Sequence, residues 1–317
     1  MKNSISGQKF SNYQDMTKSA KEWDIQCTFK LSSNAMVGEH HVVNLEGMQL
    51  SYSKRSGGFM HQAVAPKDAL SIAIIQKVEK KACFHTTKLY KGEILFFDDQ
   101  QAYNFMSKGA IEVAIVSIPK DDPLAKIFSP LQTHTIKDID NKLSKKLSSI
   151  LEDFRAQKKE LSPKKIANDI STHLLELLEM QTPKLTKLTK GERIALEIRD
   201  EVYKHMDGKI SIHSLANKHN ISEQTLQSAF KSLFGFTPKI FLQLLKLNLV
   251  HQDLKSNSNN SLNVSKIASR WGFTHMGRFS SYYSELFGEN PSVTFTSEKL
   301  QHLSIDQECI SRREEIL

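Results

Sequence analysis

The spacing of apolar residues divides the chain into a strand-like front and a helical rear. Val42 to Lys54 partly alternates apolar with polar residues. Leu70 to Val78 and Ile111 to Pro119 are apolar runs rich in β-branched residues, and Gly92 to Phe97 follows a turn glycine. Such runs predict strands, with turns at Gly57-Gly58, Pro66, Gly92 and Gly109, folding into a sandwich or small barrel. Further on the spacing changes to three or four. Ile139, Leu143, Leu147, Ile150, Leu151 and Phe154 fall on one helical face. After Ser162-Pro163, Ile166, Ile170, Leu174, Leu177 and Leu178 fall on another. These two segments predict an antiparallel helix pair, which either covers its own sheet or joins two chains. The run QTPKLTKLTKGER, with Thr182-Pro183 and spaced lysines, predicts an exposed linker. Helical punctuation resumes at Thr189, where Glu192 completes a capping box, and Ile194, Ile198, Val202 and Met206 form a stripe that stops at Gly208.

An internal repeat follows. Ser214 to Phe241 aligns with Ser265 to Phe295 at an offset that grows by one residue partway through. Ala216 then matches Ala268, Ile221 matches Phe273, and Phe234-Gly235 with Pro238 matches Phe287-Gly288 with Pro291. Each copy has a small residue in a short helix, and then a turn at Asn220 or Gly272, residue types that accept a positive φ. An apolar anchor and an N-cap, Ser222 or Thr274, come next, and a second helix buries Leu226 and Phe230 or Phe279 and Tyr283. This is the pattern of a helix-turn-helix, in which the second helix enters the major groove. Counting from the buried anchors, the outward residues are Gln224, Thr225, Gln227, Ser228 and Lys231 in the first copy. In the second they are His275, Met276, Arg278, Ser280 and Ser281, with Tyr282 at the margin. Glutamine can pair bidentately with adenine and arginine with guanine. Between the copies, Pro238 to Leu254 predicts one helix of about 25 Å at 1.5 Å per residue. The polar run Ser256 to Ser261 then leads into the second copy.

Charge and composition change this picture little. The net charge is +8, and residues 187–295 carry 14 basic against 9 acidic residues, which suits a polyanionic partner without requiring one. A length of 317 residues suggests two domains. The odd, scattered cysteines Cys27, Cys83 and Cys309 suggest neither a disulfide framework nor a zinc site, and fit a reducing compartment. With no signal-like or membrane-length apolar run, the expected location is cytoplasmic. His40-His41, His61 and His85 lack the spacing of a metal set, so no metal and no cofactor is expected. The lysine pairs Lys80-Lys81, Lys145-Lys146 and Lys158-Lys159 read as solvated faces.

LFGFTPKIFLQLLKLNLVHQDL in the middle of the repeat, with SKIASRWGF and FGENPS at its end, resembles the DNA-binding domain of AraC/XylS-family transcription regulators. The WGFTHMGRF and LFGENPS runs are most similar to a branch that includes ethanolamine-utilisation regulators. The front half is similar to that family's cupin-like effector domains through Lys88 to Phe105. Ser228 and Ser281 stand where family members often carry arginine, and Thr294-Phe295 where they often carry an aromatic residue and arginine, which puts weight on Gln227, Lys231 and Arg278. The expected fold class is α+β: a cupin-like β-barrel or sandwich with a helical pair, then an all-α domain of two helix-turn-helix units on a long helix. The expected boundaries are a β-rich effector domain at 1–130, the helical pair at 131–181, a linker at 182–189, the DNA-binding domain at 190–295 and a tail at 296–317. The resemblance implies a non-enzymatic regulator, mostly an activator, that binds double-stranded DNA, a small effector, a second copy of itself and RNA polymerase, with no membrane association. Two rival readings are a cupin-type enzyme with a helical appendage and a dimeric DNA-binding regulator that senses no ligand.

Overall fold

A computed structural model describes residues 5–84, 87–131, 134–156, 162–185, 188–204, 211–256 and 262–296. His85, Lys158, Lys159, Met206, Gly208, the polar run 257–261 and the tail from 297, with Cys309, lie outside them, as does the side chain of Cys27. The front half is built from β1 (Ile5–Phe10), α1 (Tyr13–Ser19), β2 (Asp24–Lys30), β3 (Gly38–Leu45), β4 (Met48–Arg55), β5 (Phe59–Val64) and β6 (Ala69–Val78). It continues through β7 (Ala82–Phe84), β8 (Thr87–Lys88), β9 (Glu93–Phe97), β10 (Ala102–Ser107), β11 (Ile111–Pro119), α2 (Pro123–Phe128) and β12 (His134–Lys137). The helical pair, α3 (Lys142–Arg155) and α4 (Pro163–Glu179), comes next, then the short β13 (Lys184–Leu185).

Two sheets result, ordered β1-β3-β4-β11-β6-β9-β12-β13 and β2-β5-β10-β7-β8. Both orders have free ends, so the domain is an open sandwich and the closed barrel is not formed. The expected strand over Val42 to Lys54 is instead a hairpin, β3 and β4, whose pairing runs up to Leu45↔Met48 around Gly47 at φ 78. Turns at Gly57 and Gly92 are formed with φ near 80.

The apolar runs are explained by burial on both faces. In β6, Ile72 and Ile74 pack outward while Ala73 and Ile75 pack inward; in β9, Ile94 and Phe96 pack outward while Leu95 and Phe97 pack inward. The outward set meets Leu143, Leu147, Ile170 and Leu174 of α3 and α4, so the helix pair covers its own sheet. Residues at alternate positions on the smaller sheet point away from the sandwich. Phe29, Met60, Cys83 and Met106 form a single core with the helical domain behind them. The described chain is therefore stacked in layers: helix pair, large sheet, small sheet, helical domain. Among the described residues no single helix is long and apolar enough to cross a membrane.

Candidate nucleic-acid interface

The rear half comprises α5 (Lys190–Lys204), α6 (Ile212–Lys218), α7 (Glu223–Phe234), α8 (Pro238–Ser256), α9 (Val264–Arg270) and α10 (Met276–Phe287). Thr189 and Glu192 form the capping box of α5: the Thr189 N–H donates to Glu192 Oε2 at 3.1 Å and the Glu192 N–H to Thr189 Oγ1 at 3.2 Å. The helix-turn-helix turns are alike in both copies. Ile221 N–H donates to Ala216 O and Phe273 N–H to Ala268 O, each at 3.1 Å, across a left-handed residue, Asn220 (φ 53) or Gly272 (φ 85). Ala216 and Ala268 are fully buried, which leaves room for the second helix to pass close by.

The reading helices begin differently. Ser222 caps α7 as expected, accepting from Thr225 N–H at 3.1 Å. In the second copy the cap is His275 rather than Thr274, and its side chain makes no cap hydrogen bond. The extra residue of the repeat therefore lies in the turn. The helices themselves stay in register, each of 12 residues and each ended by a left-handed glycine, Gly235 or Gly288.

On α7, Leu226, Ala229, Phe230, Leu233 and Phe234 are buried, and Gln224, Thr225, Gln227, Ser228 and Lys231 are all exposed. Thr225 leans towards α5: its hydroxyl lies 2.9 Å from Ser222 Oγ, and its methyl is 3.2 Å from where a Cβ on Gly191 would sit. Gln224, Gln227, Ser228 and Lys231 remain as the continuous outward stripe. On α10, Phe279, Tyr283 and Leu286 are buried, while His275, Arg278, Ser281 and Tyr282 are exposed. Met276 packs partly into the second core, Ser280 is half-buried, and Ser281 Oγ donates to Gly277 O at 3.1 Å. Among the described residues Arg278 makes no ion pair or hydrogen bond.

α8 joins the two units and is 19 residues long. Its first half (Phe241, Leu242, Leu245) belongs to the core of the first unit and its second half (Leu247, Val250, Leu254) to that of the second. The second unit is pinned to α8 by polar bonds as well. Tyr283 OH lies 2.6 Å from His251 Nδ1 and donates to Thr294 Oγ1 at 2.8 Å, and Trp271 Nε1 donates to Asp253 Oδ2 at 2.7 Å. Thr294, read as a departure from the family pattern, is thus a buried polar partner, and Phe295 packs on the same core.

Three lysines of the smaller sheet and its loops grip the end of α7. Lys81 Nζ donates to Lys231 O at 2.6 Å, Lys108 Nζ to Gly235 O at 2.7 Å and Lys88 Nζ to Ser232 Oγ at 2.9 Å. Cations at a helix carboxy terminus satisfy its unpaired carbonyls and oppose its dipole. Lys88 also pairs with Glu192 at 2.7 Å, where Ser232 Oγ donates at 2.7 Å. Burial pushes the Glu192 carboxyl up, but hydrogen bonds from Lys88, Ser232 and the Thr189 N–H outweigh it and hold the group at about 2. Lys81 is thus exposed and yet contacts α7, and the partly exposed Lys146 pairs with Asp169 at 3.1 Å, while Lys80 and Lys145 are exposed as read from the sequence. Cys83 lies inside this inter-domain core, where burial pushes its thiol up to about 11.

A family model described as a helix-turn-helix domain matches residues 215–297. The XylDLEGF operon transcriptional activator 3 of Pseudomonas putida is 31% identical over 142 residues, covering 44% of this chain and 41% of that protein. The XylDLEGF operon transcriptional activator 2 of the same organism is 28% identical over 148 residues, covering 47% of this chain and 89% of that one. The probable thc operon regulatory protein of Rhodococcus erythropolis is 32% identical over 93 residues, and the chain spans only 28% of its length. Among solved structures, the AraC-like transcriptional activator CuxR overlaps 83% of this chain and all of its own at 12% identity, with a TM-score of 0.41. With its repeat, matched turns and shared connecting helix, the carboxy-terminal region of this chain is a helix-turn-helix domain of AraC type, similar to that of the XylDLEGF operon transcriptional activators.

Proposed function

We propose that the chain is a sequence-specific transcription regulator, an activator, that places α7 and α10 in adjacent major grooves of one duplex face. The observation that carries this reading is the pair of equally built units, each with an outward polar stripe, at opposite ends of one helix. At 1.5 Å per residue that helix is about 28 Å long, close to the roughly 34 Å between successive major-groove faces once the flanking helices are added. Gln224, Gln227, Ser228 and Lys231 face the first groove and His275, Arg278 and Ser281 the second, with Thr225, Met276 and Ser280 at their edges. Gln227 suits adenine and Arg278 suits guanine, while exposed lysines and helix N-termini engage phosphates. The names of the Pseudomonas putida relatives favour activation over repression. The front domain, proposed at 1–130 with the helical pair at 131–181 and a linker at 182–189, sets DNA competence through a small ligand or dimerisation. Its grip on α7 supports that role, and contact with RNA polymerase completes an activator's partners. The DNA-binding unit is assigned to 190–295 and the tail to 296–317.

Binding-site selection followed by footprinting tests the reading. The expected result is two protected major-groove segments about one helical turn apart on the same face. A single short protected segment, or binding without sequence preference, would overturn it.

A further inference from the structure

Two turns of the sandwich reach the reading surface of the first unit. One follows β6 and holds Lys80 and Lys81; the other joins β10 to β11 and holds Lys108. They are tied together, since the Lys108 N–H donates to Lys81 O at 2.8 Å and the Lys80 stem passes 3.1 Å from where a Cβ on Gly109 would sit. On α7 the outward stripe of Gln224, Gln227, Ser228 and Lys231 continues, four residues on, at Gly235. A side chain starting from Gly235 would meet Lys108 Cδ at 3.1 Å and Lys81 Cδ at 3.4 Å. Front-domain lysines therefore occupy the carboxy-terminal end of the stripe. Capping alone leaves their charge unbalanced. A helix carboxy terminus carries about half a negative charge, whereas Lys80, Lys81, Lys108 and Lys231 bring four positive ones. Among the described residues no carboxylate lies within ion-pair distance of any of the four; Glu192 is engaged by Lys88 at 2.7 Å, and Glu79 accepts from the Ala110 N–H at 3.0 Å. Burial, and then the charges of Lys81 and Lys80, push the Lys108 ammonium below the usual lysine value, so the cluster repels itself. Lys80, Lys81 and Lys231 are exposed. Lys81 and Lys108 each spend one proton on a carbonyl at the end of α7, and each keeps two more to donate.

Such a cluster calls for an extended anion, and the proposed placement of α7 puts one beside it. In a helix-turn-helix the amino-terminal residues of the second helix meet base edges. α7 has 12 residues, about 18 Å at 1.5 Å per residue, against a major groove about 12 Å wide. Its last turn therefore stands at the phosphate wall, and the four lysines stand with it. We infer that the turns carrying Lys80, Lys81 and Lys108 are part of the DNA interface and, with Lys231, clamp the phosphates that flank the first major groove. Resting on the proposed placement of α7, this extends the contact from the rear domain to the sandwich. Phosphates carry no sequence information, so the clamp adds affinity for any duplex and leaves the choice of sequence to the reading stripes. Any change that moves the sandwich relative to α7 moves these contacts with it.

The test is binding of the full chain to a duplex carrying its selected site, from about 50 to 200 mM salt, where each phosphate contact contributes about 0.9 to the slope of log affinity against log salt. Lys80 is the informative position, because among the described residues its ammonium makes no hydrogen bond to α7. Lys80→Gln should lower the slope by about 0.9 and weaken binding about threefold to tenfold on selected and unrelated duplexes alike, with the selected sequence unchanged. Lys80→Arg should restore both, and Lys145→Gln, an exposed lysine on the helix pair at the far side of the large sheet, should alter neither. Adding Lys81→Gln and Lys108→Gln to Lys80→Gln should lower the slope by about 2 to 3 in all. An unchanged slope in Lys80→Gln, a triple variant whose slope falls no further, or a loss confined to the selected sequence would overturn the inference. If the triple variant fails to fold, Lys80→Gln alone decides. A chain that selects its sequence through two grooves but keeps its slope in Lys80→Gln refutes this inference alone, whereas binding without sequence preference removes the placement of α7 itself.

Discussion

Gln227 and Arg278 sit at the middle of the two outward stripes, and the proposed reading gives each of them a base to pair with. Alanine at either is expected to relax preference at one base position by about 1–3 kcal/mol while leaving preferences elsewhere intact. Selection of binding sites with each variant measures this, and an unchanged profile would remove that residue from the reading set. A different kind of residue fixes where the stripes stand. Asn248, in the leucine-rich α8, accepts from Lys30 N–H at 2.7 Å and donates to Lys30 O at 2.8 Å and Leu244 O at 2.7 Å. Asn248→Ala strands the Lys30 backbone groups, so a loss of about 1–3 kcal/mol in chemical denaturation is expected. Nothing in the spacing of apolar residues marks Asn248, because its value depends on a strand 218 positions away. Thr294 is similar: its sequence shows a departure from a pattern, and only the fold reveals a bond to Tyr283.

Among elements, the two turns were legible because their requirement is local. A positive φ is demanded at one place, and Asn and Gly are the residue types that tolerate it. Asn220→Gly is expected to be nearly neutral and Asn220→Ala to cost about 1 kcal/mol, read from denaturation midpoints. Equal effects of the two would show that backbone conformation does not set the choice of residue. The capping box at Thr189, the helix pair and α8 were legible for the same reason. The site of the extra residue in the second copy was not. Thr274 is a better capping residue than His275, yet the register of Phe279 and Tyr283 against α8 decides where α10 starts. Strand closure was equally hidden. Apolar runs such as Leu70 to Val78 report burial on both faces, and they do so whether the covering layer is a rolled sheet or, as here, helices on one side and a second sheet on the other.

At the scale of the whole molecule, the contact between sheet and α7 was invisible in the sequence, since solvated lysines and carbonyl-capping lysines look alike. Glu192 makes it measurable. Its carboxyl is held at about 2, below the roughly 4.3 of an unfolded chain, so its contribution is complete above that range and disappears as pH falls towards 2. The melting-temperature gap between the unaltered chain and Glu192→Gln should therefore be wide at pH 6 and narrow steadily below pH 4. A gap independent of pH would show that the Lys88 bridge does not act through charge. The lock also makes the molecule lopsided. The first unit shares its core with the smaller sheet, whereas the second is rooted almost wholly in the distal half of α8 and its own side chains. Substitutions on the α10 surface then bear on the second unit alone, while changes in α7 must satisfy both neighbours at once. Over evolutionary time, related chains should diversify fastest at the free end of the spine.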